Sequence, residues 1–504
     1  MEIAYYDLSG GINQASTKTE LGLNTKRIYW ADSVNIEILQ NKGFCKQKGN
    51  TLFLELPEKE EITGLHELFA DNIYRLIITT ISGKIYVYDD TKNSLDLVER
   101  TLEGETPIFT NFLRGVVIAT EKDSPFYLNV NLTTEDCNLL DKNGEPIIIT
   151  SSATFRGRIW FTSGSTLYYS ALGTYNDFST DNDAGYISDF HTDTSEITAI
   201  KPYKDYLAIY KRNAVYLLSG TSPSDFAIIP FANKGCIAPN AISNVENKQY
   251  FLSNGIFALE QVGELNQIQL GSEISQKIRP ELEQFSTQDL FRSFCVHYED
   301  RGQMWFFFPY PSQKYYHTVW INDYYNKAWY KRVIPQDITT ACIFKYNVLS
   351  ADKDGKIYRE NYGVSFDGKP IEFMWKSPFL AIGSAHHRKI IDEFYFILDE
   401  AYDNNFDFLV YKDYDTQLPD DSEKIYSVHF EHMIWADEKT HDNLPCHWAL
   451  DDENIPIWAI SRNTLEKAEI SESNYSIQLC VQGDSIEQSC SIIGLQFREI
   501  YNDD

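Results

Sequence analysis

Between residues 62 and 362, short apolar runs alternate with polar breaks, and the breaks are turn sequences. The first unit runs 62–68, 75–80 and 85–88, with Ser82-Gly83 between the last two strands. Equivalent triplets recur at 107–112, 116–119 and 126–130, then at 150–155, 158–162 and 166–170 through Ser163-Gly164. A fourth occupies 197–203, 206–210 and 214–218, and a fifth 241–245, 249–252 and 256–259. The last two are 294–298, 303–308 and 317–321, then 339–344, 348–351 and 356–358. Short apolar strands bounded by Gly, Asn, Asp and Ser are the pattern of antiparallel hairpins. Asn254-Gly255 is the strongest of these signals, because Asn and Gly readily take the positive φ that tight hairpin loops use; another unit turns at Asp354-Gly355.

One residue from each third strand (Tyr86, Tyr127, Tyr168, Tyr216, Phe257, Val319, Tyr358) gives spacings of 41, 41, 48, 41, 62 and 39. A period of about 40–45 residues with three or four strands per repeat is that of propeller blades. The chain is therefore expected to be all-β, with a β-propeller-like array of about six or seven units over 62–364. The one long interval has a visible cause. Residues 272–291 switch to a helical pattern, with Ser272 placed to cap and Ile274, Ile278, Leu282 and Phe285 on one stripe. Pro280 suits the first turn of a second short helix. This insertion is a candidate subunit-contact helix, or else packs over the ring.

Past residue 365 the spacing is lost. Strand-like runs at 371–375, 389–398, 406–411, 425–430, 476–481 and 491–501 predict a C-terminal β-sandwich-like domain over 365–504. Residues 1–61 are left as an N-terminal arm of lead-in strands. A length of 504 residues agrees with several domains, since a single core stops growing well before that size. The 33 Tyr and 30 Phe against 4 Met strengthen the β reading, because aromatic side chains fit a pleated, half-buried surface.

Charge narrows the function. A formal net charge of −29 argues against a general nucleic-acid binder and against docking on anionic membranes. Met1-Glu2-Ile3-Ala4-Tyr5-Tyr6-Asp7 has neither the basic nor the apolar region of a secretory signal, and no apolar run approaches a membrane span. The eight cysteines include no C-x-x-C pair, so reduced, mostly buried thiols and a cytoplasmic site of synthesis are expected.

No nucleophile elbow, phosphate loop, metalloprotease helix or dinucleotide fingerprint occurs. The expectation is a structural protein, not an enzyme, with no cofactor and no metal. Asp352-Lys353-Asp354-Gly355 imitates the opening of a calcium loop, but a strand begins at Lys356, so it reads as an Asp-Gly turn. His386-His387-Arg388 reads as an exposed basic loop. The aromatic run 303–310 reads as a buried blade strand, because three successive Phe cannot share one face. Asp437, Glu438, Asp442, Asp451, Asp452 and Glu453 form a candidate acidic channel or distal-tip loop. A carboxylate pair for glycoside hydrolysis stays open, since nothing singles one out among 73 acidic residues.

Gly10-Gly11-Ile12-Asn13, Asn35, and Lys42-Gly43-Phe44 through Lys48-Gly49-Asn50 resemble the opening of the tail nozzle family of short-tailed bacteriophages. This family is also called tail tubular protein B or packaged-DNA stabilisation protein. The hairpin at 211–218, Gly235-Cys236, and Asn254-Gly255-Ile256-Phe257 resemble its blade sequences. Gly368-Lys369-Pro370-Ile371, Ile382-Gly383 and Arg388-Lys389 resemble its C-terminal entry. The chain departs from the family at Lys48, where Arg is more usual, and in its long acidic insertion. The resemblance implies a homohexameric ring in the virion tail, below the portal and adaptor. That ring would retain packaged double-stranded DNA and conduct it at infection without binding it specifically. Acidic residues facing such a lumen would repel phosphates over a Debye length of about 8–10 Å. Two other readings stand beside it: a monomeric propeller recognising a host-surface glycan or receptor, and a propeller glycosidase.

Overall fold

The computed structural model describes residues 2–23, 26–190, 193–262, 267–383, 385–399, 404–415, 426–430 and 468–502. The repeat becomes a seven-bladed β-propeller. Blade 1 is Ile62–Ala70, Ile73–Thr80, Ile85–Asp89 and Ser94–Leu97; blade 2 is Ile108–Phe112, Gly115–Ala119, Phe126–Asn129 and Thr134–Asp136. Blade 3 comprises Ser151–Phe155, Arg158–Ser163, Thr166–Tyr169 and Gly185–Ile187. Ile197–Tyr203, Tyr206–Lys211, Val215–Ser219 and Ala227–Ala232 make blade 4. Ile242–Val245, Lys248–Leu252, Ile256–Val262 and Gln267–Leu270 make blade 5. Blades 6 and 7 share a seven-stranded sheet in the order Phe294–Tyr298, Gln303–Phe307, Tyr316–Asp323, Ala328–Phe344, Asn347–Asp352, Lys356–Glu360, Asn50–Glu55.

The second strands are buried along their length, as in Gly115–Ala119, because each blade is covered on both faces by its neighbours. Leu68, Ile77 and Val87 pack with Val116, Ile118 and Phe126 between blades 1 and 2. Ile62, Leu65 and Leu76 pack with Phe344, Leu349 and Ile357 between blades 1 and 7, which closes the ring. Each such fully buried side chain contributes about 1.5–3 kcal/mol. The fourth strands escaped the sequence pattern because they are short and edge-exposed, as Thr134–Asp136 shows.

The expected arm over 1–61 is not a separate element. Asn50–Glu55 pairs antiparallel with Lys356–Glu360, Arg359 opposite Thr51, and so supplies the outer strand of blade 7. The chain divides into two compact units, one of Asn50–Tyr324 with Ile334–Tyr362, the other of Met1–Gly49, Tyr325–Val333 and Gly363–Asp504. The second unit is a two-sheet β-sandwich. One sheet runs Ile36–Ile38, Phe44–Lys46, Ser491–Asn502, Lys389–Leu398, Ala468–Asn474, with Ile3–Tyr5 also paired to Ser491–Asn502. The other runs Asp32–Val34, Phe373–Lys376, Ile477–Gly483, Asn404–Lys412, Tyr426–Phe430. The sandwich expected from 365–504 alone thus draws strands from both ends of the chain. Its core includes Phe44 stacked on Trp375 at 4.5 Å and Phe396 edge-on to Phe406 at 5.3 Å.

The residues that carry the nozzle resemblance have structural work in this unit. Gly11 sits at φ 66°, and a Cβ there would lie 2.7 Å from the Trp329 carbonyl oxygen. A Cβ on Gly49 would lie 1.8 Å from the Ser365 carbonyl oxygen, so only glycine fits. Arg332, 1% exposed, donates to Gln47 Oε1 at 3.3 Å, the Lys48 carbonyl at 2.6 Å and the Gly49 carbonyl at 2.9 Å. Asn35, also in the left-handed region at φ 53°, donates to the Glu372 carbonyl and accepts from the Val333 N–H.

Candidate functional site

Six two-residue hairpin loops lie at one end of the first strands of blades 1, 2, 3, 4, 5 and 7, where Ala70 pairs with Ile73, Phe112 with Gly115, Phe155 with Arg158, Tyr203 with Tyr206, Val245 with Lys248 and Phe344 with Asn347. Such loops take positive φ, which Asn and Gly adopt at little cost. Blade 1 uses Asp71 and Asn72, at 56° and 61°. Blade 7 instead places Lys345 and Tyr346 there, at 49° and 64°, and blade 2 places Leu113 at 50°. Left-handed backbone costs a bulky L-residue about 1–2 kcal/mol. These turns nonetheless present large side chains to solvent: Tyr346 is 64% exposed and Leu113 63%.

Around Tyr346 the rim is aromatic. Its hydroxyl is hydrogen-bonded to that of Tyr74, a bond that together with desolvation raises the Tyr74 pKa. The Tyr74 ring lies 4.5 Å from Phe69, itself half-exposed, and 6.3 Å edge-on from Phe344. Charged pairs frame the cluster. Lys345 reaches Asp90 and lies 5.7 Å from the Tyr74 ring centre, while Arg114 of blade 2 pairs with Asp71 of blade 1. Blades 7, 1 and 2 thus present one patch of exposed rings edged by ion pairs.

The first strands also line the propeller axis. His66 of blade 1 is stacked on Phe109 of blade 2 at 5.2 Å, 9° from parallel, and its Nε2 lies 2.8 Å from Asn111 Oδ1. Asn111 donates through Nδ2 to the Glu67 carbonyl at 3.0 Å, which fixes its amide orientation and makes His66 Nε2 the proton donor. Desolvation first, then the charge of Lys201, pull the His66 pKa down to about 4, against the opposing Asn111 bond. Neutral imidazole is therefore the form at pH 7. Burial pulls the Lys201 ammonium down and pushes the Cys295 thiol up to about 12. Burial also raises the Glu67 carboxyl.

The sites expected from sequence fall elsewhere. Asp437, Glu438, Asp442, Asp451, Asp452 and Glu453 lie outside the described residues. The helical stripe is corrected. Residues 272–291 fold as three short turns, Gln276–Ile278, Arg279–Leu282 and Thr287–Phe291, with Pro280 in the first turn of the second. Ser286, not Ser272, caps, in a capping box with Asp289. Ile278, Leu282 and Phe285 are buried within the chain, Phe285 against Phe308 and Tyr310, and Ile274 is half-buried. Asp352 accepts from the Asp354 and Lys356 N–H groups and the Tyr358 hydroxyl, with Gly355 at φ 77°, the geometry of an Asp-Gly turn. Met304 to Phe308 are buried, and His386, His387 and Arg388 are exposed.

Both newly found features left a trace in the sequence. Lys345-Tyr346 occupies a hairpin loop without any turn residue, and Lys201 interrupts the apolar run 197–203.

No protein-family model matches the chain, and no curated protein matches it. Among solved structures it is similar to a chain of the mitotic checkpoint complex, at 12% identity and a TM-score of 0.41, covering 63% of this chain and 93% of that one. It is also similar to the WD40 β-propeller domain of Doa1, at 10% identity and a TM-score of 0.39, with 62% and 96% covered. YCF48 bound to D1 peptide gives 10% identity and a TM-score of 0.39, with 61% and 94% covered. Likeness at this level concerns the fold alone, and the fold stands on the sheet order already described.

Proposed function

We propose that this chain works as a binding propeller, a scaffold that docks a protein partner on the rim of blades 7, 1 and 2. The observation that carries the reading is Tyr346, an exposed aromatic held in a backbone conformation that disfavours it, beside Phe69 and Tyr74. Strained, exposed residues are retained where their side chains are used, and aromatic anchors edged by charge are the anatomy of interface hot spots.

A second reading, the virion tail nozzle, is supported by the exacting positions of Gly11, Asn35, Gly49 and the carbonyls clamped by Arg332, all residues of the resemblance. In that reading the docked partners include further copies of this chain, as a homohexamer beneath portal and adaptor proteins. Mass photometry and a glycan array, run on the protein and on a Phe69→Ser/Tyr346→Gly variant, test both. A hexamer that the variant dissociates supports the nozzle reading. A monomer with variant-sensitive receptor binding supports the first, and variant-sensitive glycan binding replaces its protein partner with a sugar. A variant unchanged in every assay overturns the rim as a docking site.

A further inference from the structure

We propose that Asn143-Gly144 is a self-modifying turn: the chain converts the Asn143 side-chain amide to a carboxylate through a cyclic imide, and the product loosens the link between blades 2 and 3. The argument is independent of the rim. Of the two Asn-Gly pairs in the sequence, Asn143-Gly144 and Asn254-Gly255, the fold exposes the first and guards the second. The first stands between the last strand of blade 2 and the first strand of blade 3, where residues 141–146 are all exposed. Gly144 sits at φ 84°, and beyond its chain neighbours nothing lies within 4 Å of where a Cβ would be. The Gly144 N–H donates to the Asp141 carbonyl at 3.1 Å, and Asn143 Nδ2 to Asp141 Oδ2 at 3.2 Å. Both are exposed bonds within a single turn, which local opening breaks at little cost.

Asn254 is held in place. Its Oδ1 accepts from the Lys234 ammonium at 3.1 Å, Gly255 is buried, and the Ser253 N–H donates to the Gly255 carbonyl at 2.8 Å. A Cβ on Gly255 would lie 2.5 Å from a Glu273 carboxylate oxygen, so the backbone there is crowded beside a negative charge that opposes loss of an amide proton.

The chemistry needs only water. The Gly144 backbone nitrogen gives its proton to solvent and bonds to Asn143 Cγ; the Cγ–Nδ2 bond breaks, and ammonia leaves with a proton from solvent. Water then adds to either carbonyl carbon of the imide, and the C–N bond that breaks yields isoaspartate or aspartate. In sum, one amide and one water give one carboxylate and one ammonium, with no change of oxidation state. The product has lost the Nδ2 donor. It faces Asp141, whose Oδ1 accepts from the Glu145 and Asn143 N–H groups at 2.9 and 2.8 Å, bonds that hold its carboxyl below the ordinary pKa. Two carboxylates at that spacing repel, which opens the turn in which the Asp141 N–H donates to the Glu145 carbonyl at 2.8 Å.

The test ages the full chain at mildly alkaline pH, folded and in urea, and follows both sites by peptide mapping for the acid-for-amide mass gain and for isoaspartate. In the folded chain Asn143 should react at least about tenfold faster than Asn254, a ratio equal to about 1.4 kcal/mol of extra local opening at Asn254. In urea the two rates should converge. Equal rates in the folded chain, a lead for Asn254, or a lead for Asn143 that persists in urea overturns the proposal. The loosening is read in Asn143→Asp, where hydrogen exchange at the Glu145 amide should be several-fold faster than in the unaltered protein; unchanged exchange overturns the effect on the link.

Discussion

His66 offers a direct check on the axial geometry through pH. Its ordinary value of 6.5 in the unfolded chain falls to about 4 in the fold, through desolvation and the charge of Lys201. A histidine whose folded pKa is depressed is fully compatible with the fold above the unfolded value, and stability is lost as pH falls from there toward the folded one. Between pH 7 and pH 5 the unfolded chain takes up a proton that the folded chain refuses. Linkage with these two values gives a loss of about 2 kcal/mol at pH 5, reduced to about 1 kcal/mol by channel water around a half-buried ring. His66→Gln puts an amide N–H near the place of Nε2–H, keeps a donor for Asn111 and removes the titration. Calorimetric melts of both proteins at pH 7 and pH 5 should therefore diverge. The unaltered protein should lose about 2–4 °C more than the variant on acidification, since about 1 kcal/mol is worth a few degrees in a domain of this size. Carboxylates titrating elsewhere affect both proteins alike and cancel in the comparison. Parallel losses would show that His66 is solvated as in the unfolded chain, and the enclosed axial wall inferred around it would be wrong.

Further outcomes follow from the same contacts. Tyr346→Gly relieves about 1 kcal/mol of left-handed strain and removes a solvent-exposed contact with the Tyr74 hydroxyl. Urea unfolding should show stability unchanged or slightly raised while partner docking falls; a clear loss of stability would make the turn a structural device only. Arg332→Met leaves the Gln47 side-chain oxygen and the Lys48 and Gly49 carbonyls without their buried donor, and should cost about 3 kcal/mol in the transition that contains the sandwich. A cost under about 1 kcal/mol would mean that water replaces the guanidinium.

The propeller was legible because its evidence is local. A hairpin needs apolar strands of period two and turn residues between them, and seven such units recur over 62–362. The fourth strands were not legible, since three or four half-exposed residues such as Thr134–Asp136 carry no periodic signal. The helical insertion was visible as a change of period, but not its function. An apolar stripe reads the same whether it faces a second subunit or, as Phe285 does, the chain's own Phe308.

By itself, the sequence determined the class of fold, the repeat and the absence of a recognisable catalytic motif. It also carried the glycines that the nozzle resemblance rests on. Tertiary structure decided the rest, because closure and enclosure are long-range. Asn50–Glu55 completes blade 7 more than three hundred positions before its partner strand ends at Glu360. The first 49 residues join a sandwich whose other strands follow Gly363. His66 in strand 62–70 is unremarkable in one dimension; only the ring brings it against Phe109 and Asn111 of the next blade. Likewise, only the left-handed turn at Lys345-Tyr346 shows that an aromatic side chain is held out into solvent against its own backbone preference.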